Sequence, residues 1–213
     1  LYIAGGQQGP EAMSATHNFW MLDLGVESDQ RAWKVLPSWP GKPRMLSVGG
    51  VVGDNFLLCS GTALEDGKRD YLKDAYAYDP TSGWRRLQDL PWPVVAAPSP
   101  AYQRDSALYL FGGDDGRLAT GPINLKAHHP GFSSAILKYD VLKDSWSKAG
   151  TVLTQKKKDA VENPNGSIWA PVSTTLAVWQ GRVILAGGEV RPSTRTPRVL
   201  MAIPLASETP QKK

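Results

Sequence analysis

Near the end of the chain, Gly188-Glu189-Val190-Arg191-Pro192-Ser193-Thr194-Arg195-Thr196-Pro197 sets one carboxylate and two guanidinium groups in close succession. A carboxylate can take a proton and return it. A guanidinium fork can hold an anionic group bidentately or keep a neighbouring acid ionised. The run follows an apolar stretch, Val183-Ile184-Leu185-Ala186, and two prolines stiffen it. Charge at the tip of a strand is an unusual use of these residues if stability alone is served. The plain alternative is an exposed ion pair on a loop, worth about 0–1 kcal/mol.

The elements that must position this run repeat along the sequence. An apolar segment ending in two small residues occurs four times: Leu1 to Gly6, Phe56 to Gly61, Leu108 to Gly113 and Val183 to Gly188. A variable loop follows, then a second segment ending in aspartate: Phe19 to Asp23, Ala75 to Asp79 and Ile136 to Asp140. A tryptophan comes a few residues later each time, at Trp33, Trp84 and Trp146. Links bearing Pro or Gly lead to a further strand, such as Met45 to Val52, Ala97 to Tyr102 or Thr174 to Trp179. This order resembles the kelch repeat, a four-stranded antiparallel blade of a β-propeller with a period of about 50 residues. The expected fold is an all-β kelch-type propeller over residues 1–205, with a polar tail over 206–213. The strands number about 14, or about 3.5 four-stranded blades, so the expectation is a fragment of a six- or seven-bladed ring, six being favoured, with completion by a second copy as the alternative. The glycine pair lets strands crowd together, the tryptophan packs between blades, and the recurring Asp23, Asp79 and Asp140 read as turn residues.

Composition bounds the rest. The 213 residues are 41% hydrophobic and 21% charged, with Gly 21, Pro 17 and Trp 8, which suits many short strands joined by turns. The net charge of +4 is mild, and Lys156-Lys157-Lys158 reads as a solvated loop. No basic stripe interleaved with aromatics points to nucleic acid. No apolar stretch is long enough to span a membrane. One cysteine, Cys59, rules out an internal disulfide framework and a thiolate metal cluster, and its apolar neighbours make it a buried thiol. No zinc pattern or phosphate-cradling glycine loop occurs, so neither metal nor cofactor is expected.

Within kelch propellers, the run from Gly188 to Thr196 resembles the Gly-Glu-x-(Lys/Arg)-Pro-x-x-Arg-Thr motif of the bacterial N-acetylneuraminate epimerases, the sialic acid mutarotases. Gly41-Lys42-Pro43-Arg44, Gly112-Gly113-Asp114-Asp115-Gly116 and His129-Pro130-Gly131-Phe132 agree with that family too, especially its cyclically permuted branch. Ser193-Thr194 departs from it, standing where a glycine-containing pair is common. The resemblance implies anomer exchange of a 2-keto sugar acid, with Glu189 as catalytic acid–base and Arg195 as its partner. Arg191 and Arg44 are secondary candidates for holding the substrate carboxylate. His129, on a long connection from Asp114 to Ser133, is a candidate for lining the site; a surface histidine is the plain reading. Asp114 and Asp115, beside Gly116, read as turn formers. Substrates drawn from glycans would favour a periplasmic or secreted setting, while oligomeric state is left open.

Two other functions fit a kelch propeller. One is a non-catalytic module whose loops bind protein or glycan, which would not need an acid–base pair at a strand end. The other, a copper radical oxidase, needs a Cys–Tyr crosslink and two histidine ligands. Cys59 sits in a core-like strand, and His17, His128 and His129 lack ligand spacing.

Overall fold

The computed structural model describes residues 1–119 and 125–203. Blade 1 consists of β1 (Tyr2–Ala4), β2 (Phe19–Leu22) and β3 (Trp33–Val35). Blade 2 starts with β4 (Val48–Val52) and β5 (Asn55–Cys59). A hairpin of β6 (Thr62–Glu65) and β7 (Lys68–Tyr71) is inserted before β8 (Ala75–Asp79) and β9 (Gly83–Leu87) complete it. Blade 3 holds β10 (Tyr102–Arg104), β11 (Ala107–Phe111), β12 (Ala135–Asp140) and β13 (Ser145–Thr151). Blade 4 has β14 (Leu176–Trp179) and β15 (Arg182–Ala186), then a second hairpin of β16 (Glu189–Arg191) and β17 (Thr194–Arg195), then β18 (Val199–Ala202). All pairings within the sheets are antiparallel. Two four-stranded sheets flanked by two of three strands make the chain a partial β-propeller, as the repeat predicts. The polar tail expected over 206–213 lies outside the described residues.

The core lies between blades. Phe19, Trp39, Phe56 and Tyr78 fill the space between blades 1 and 2. Leu57, Leu90, Leu108, Leu110 and Leu137 fill that between blades 2 and 3. Phe111, Leu176 and Leu185 join blades 3 and 4. Full burial of such side chains stabilises by about 1.5–3 kcal/mol each. The repeated tryptophans add a polar stitch. Trp84 Nε1 donates to the Pro37 carbonyl at 2.7 Å, and Trp146 Nε1 to that of Gln88 at 2.9 Å, each reaching the link behind the preceding blade. Trp33 has no described blade on that side and is half exposed.

The repeated aspartates are turn residues. Asp79 Oδ1 accepts the Thr81 and Ser82 amides, Asp140 Oδ1 those of Leu142 and Lys143, and Asp23 Oδ1 that of Gly25. The inner strand of blade 3 starts later than expected, at Tyr102 rather than Ala97. Pro98 and Pro100 have no amide to give a ladder, and the segment instead bonds to neighbouring blades, Ala101 N to Gly49 O and Ser99 N to Thr174 O.

At the inner edge, three blades share a backbone device. Leu46, Ala96 and Ser173 take left-handed φ values of 56°, 55° and 50° at the same place in successive repeats. The Ala96 amide donates to the Leu46 carbonyl (2.8 Å) and the Ser173 amide to the Ala96 carbonyl (2.7 Å), so a line of hydrogen bonds passes from blade to blade.

Candidate active site

Each glycine pair brings the chain to this inner edge. A Cβ on Gly188 would lie 2.8 Å from both the Pro171 Cβ and the Val172 carbonyl oxygen. Only glycine lets the backbone pass, and it does so at φ 107°. Glu189 comes next and pairs with Val172 through two backbone hydrogen bonds of 2.7 and 2.8 Å. Its side chain projects into a cleft of about 720 Å³. The cleft walls come from three blades: the β6–β7 hairpin, the connection after β11, and the β16–β17 hairpin. Leu46, Ala96 and Ser173 lie in its floor.

Glu189 is half-buried, and its Oε1 accepts the Ser193 amide at 2.8 Å. Ser193, the first residue of the Ser193-Thr194 pair that departs from the motif, has a left-handed φ of 60°. Arg195 is the register partner of Glu189 across the hairpin. The two side chains do not pair. Arg195 is exposed and does not itself line the cleft; its Nη2 donates at 3.1 Å to the carbonyl of Ser173, which does.

Arg191 has another task. It is buried, with Nη1 donating to the carbonyls of Ala127 (2.7 Å) and Ala160 (2.9 Å), Nη2 to Val161 (3.0 Å) and Nε to Thr194 Oγ1 (3.3 Å). It clasps two loops to the hairpin and does not line the cleft. Arg44 does not line the cleft either. It is fully buried, forked onto Asp74 through two contacts of 2.7 Å, bonded to the Ser60 and Lys42 carbonyls, and flanked by the Trp39 and Tyr76 rings. Neither guanidinium is placed to meet a ligand in the cleft, because protein atoms already occupy their donors.

His129 does line the cleft, only 9% exposed and tilted against Phe132. Its Nδ1 accepts the Gly131 amide, which leaves the proton of the neutral ring on Nε2. Burial lowers its pKa, helped by Lys156 and opposed by Asp114, Asp115 and Glu189.

Sequence reasoning missed three cleft residues. Asp114 does cap a turn, with Oδ1 accepting the Gly116 amide at 3.0 Å, but its Oδ2 accepts the Tyr71 hydroxyl at 2.8 Å. Burial, followed by the charge and hydrogen bond of Asp114, pushes the Tyr71 phenol up to about 12. Arg69 stands on the same hairpin and is the one Lys or Arg among the described lining residues. A signal for Asp114 was available: it follows Gly112-Gly113 as Glu189 follows Gly187-Gly188.

Cys59 is fully buried in β5, where desolvation raises its thiol to about 12. Among the described residues, no group of three or more His, Cys, Asp or Glu side chains is gathered as metal ligands, and no helix is long and apolar enough to cross a membrane.

No protein-family model matches the chain, and no curated protein matches it by sequence. Among the solved structures that match is the structure of YjhT, with a TM-score of 0.66 at 17% identity. The alignment covers 91% of this chain and 63% of that one, so the chain spans less than two thirds of that neighbour's length. At this identity the likeness concerns architecture: the cleft is carried on a partial β-propeller similar in fold to YjhT.

Proposed function

We propose that the cleft binds a sugar acid and that Glu189 catalyses its anomer interconversion by ring opening. Glu189 removes the proton of the anomeric hydroxyl and a proton is delivered to the ring oxygen, so that the C–O ring bond breaks and leaves the open-chain keto acid. Rotation about the adjacent C–C bond followed by reclosure, with the proton transfers reversed, yields the other anomer. One carboxylate serves as base and then as acid. Arg195 holds the substrate carboxylate from the rim, exchanging its contact with the Ser173 carbonyl for a charge-assisted one. His129, with Nε2–H available, donates to the substrate from the blade 3 wall.

The observation that carries this reading is the placement of Glu189. It lines the cleft with one oxygen fixed by the Ser193 amide, a geometry that orients the carboxylate. A periplasmic or secreted setting accords with such a substrate.

The test is proton NMR of α-to-β exchange in freshly released N-acetylneuraminate, using the intact gene product. Glu189→Gln keeps an oxygen for the Ser193 amide, so the turn survives while proton transfer is lost. The expected loss of acceleration is about 10²–10⁴-fold, and Arg195→Ala is expected to raise KM. A folded wild type that leaves the exchange rate unchanged would sink the proposal and leave a binding propeller.

A further inference from the structure

Thr62, Asp114 and Glu189 occupy one position in three successive repeats. Each follows a pair of small residues, Ser60-Gly61, Gly112-Gly113 and Gly187-Gly188, and each exchanges two backbone hydrogen bonds with an inner-edge residue: Met45, Val95 and Val172 respectively. Glu189 therefore has an acidic counterpart one blade away, opening on the same cleft. The third position is a buried threonine, but its hairpin supplies two other polar groups. Arg69 and Tyr71 are two residues apart on β7, and i and i+2 of a strand share a face. Both line the cleft.

The bonding capacity of this wall is only partly used. Asp114 Oδ1 holds the Gly116 amide and Oδ2 the Tyr71 hydroxyl, and each carboxylate oxygen accepts more than one donor. The phenol oxygen of Tyr71 can accept as well as donate, and the neighbouring Arg69 side chain is one donor in its reach. Arg69 is exposed and brings a planar fork of donors. Acceptors and donors set side by side match neighbouring hydroxyl groups, each of which gives one hydrogen bond and takes another. The floor between this wall and Glu189 includes Val95, Ala96 and Val172, which suits the apolar face of a sugar ring.

We propose that Asp114, Tyr71 and Arg69 form a subsite for the exocyclic polyol chain of the sugar acid, while its anomeric centre lies at Glu189. The proposal rests on the anomer-exchange reading of the cleft. It assigns these residues to specificity: they measure the length of the substrate beyond the ring.

The test compares N-acetylneuraminate with the six-carbon 2-keto-3-deoxygluconate, whose pyranose ring carries no exocyclic polyol, in wild type, Asp114→Asn and Tyr71→Phe. Asn keeps an acceptor for the Gly116 amide, and Phe keeps the ring, so thermal melts should stay near wild type. Each variant should raise KM for the nine-carbon acid about tenfold, the scale of one lost hydrogen bond to a charged group, with kcat held. Constants for the six-carbon acid should not move. If wild type accelerates exchange but both variants leave the KM ratio unchanged, or lower kcat equally for both sugars, the subsite is wrong and the role of Glu189 stands. If wild type accelerates neither sugar, the anomer-exchange reading falls and takes the subsite with it.

Discussion

Arg44 and Arg195 are both candidates, from the sequence, for holding a carboxylate, and the structure uses them in opposite ways. Arg44 lies at the junction of blades 1 and 2, wholly out of solvent, forked onto Asp74 and roofed by Trp39 and Tyr76. Arg195 lies in the β16–β17 hairpin of blade 4, exposed, beside a glutamate that it faces in register but does not bind. The first guanidinium has been taken out of water and matched group for group, so its charge holds the fold together. The second is exposed and makes one bond among the described residues, to the Ser173 carbonyl. A guanidinium becomes available for chemistry when the protein leaves its hydrogen bonds unmade, and that property depends on distant carbonyls rather than on the local run of residues.

The comparison breaks most sharply at Arg44. Arg44→Ala strands a largely buried carboxylate, and removing one partner of such a pair costs about 3–5 kcal/mol; urea unfolding measures it, and a loss below about 1 kcal/mol would mean that the fork does not hold the junction. Arg191 should behave as scaffold too. Arg191→Ala orphans carbonyls from two loops, with an expected loss of about 1–3 kcal/mol for each group left buried and unpaired. A thermal melt indistinguishable from wild type would contradict the clasp.

Acid sharpens the contrast further. Burial tends to raise the Asp74 carboxyl, but hydrogen bonds and charge from Arg44, with the Tyr76 hydroxyl, outweigh it and hold the pKa below the ordinary value. A depressed carboxylate stabilises fully above its unfolded value near 3.9 and loses that contribution as pH falls through the lower folded value. Asp74→Asn should therefore flatten the steepest part of the acid limb below about pH 4. At the cleft, His129 is also depressed, so its neutral form favours the native state and stability declines as pH falls below about 6.5. His129→Gln should remove that shallow slope while leaving the lower limb unchanged. Smallest of all is Arg195→Ala measured by unfolding: a change within about 0.5 kcal/mol, as for an exposed side chain, even where the same variant raises KM.

The blades were legible because their strands repeat, and the tryptophans because one follows each Tyr-Asp or Leu-Asp end, at a spacing that varies with the turn. The β6–β7 hairpin was hidden inside what reads as a variable loop. Its turn, Asp66-Gly67, takes φ values of 49° and 74°, and such an Asp-Gly pair between short strands is a hairpin signal in its own right. At the site, Glu189 and His129 were legible because a motif and a long connection mark them. Arg191 was not, because its carbonyl partners Ala127, Ala160 and Val161 lie far away in sequence. Asp114 was read for its turn, which is correct, but its contact with Tyr71 joins two blades and leaves no trace in local composition.

The left-handed residues under the cleft have a consequence for how such a site can diversify. Leu46, Ala96 and Ser173 are floor and backbone device at once, so a substitution there must satisfy a torsion before it can suit a ligand. β-Branched and bulky side chains are poorly tolerated in that region, and glycine, asparagine and aspartate are the easy exchanges. The hairpin walls carry no such restriction at Arg69 or Tyr71. Drift toward new ligands is therefore channelled into the walls, while the floor keeps a narrow alphabet whatever the ligand.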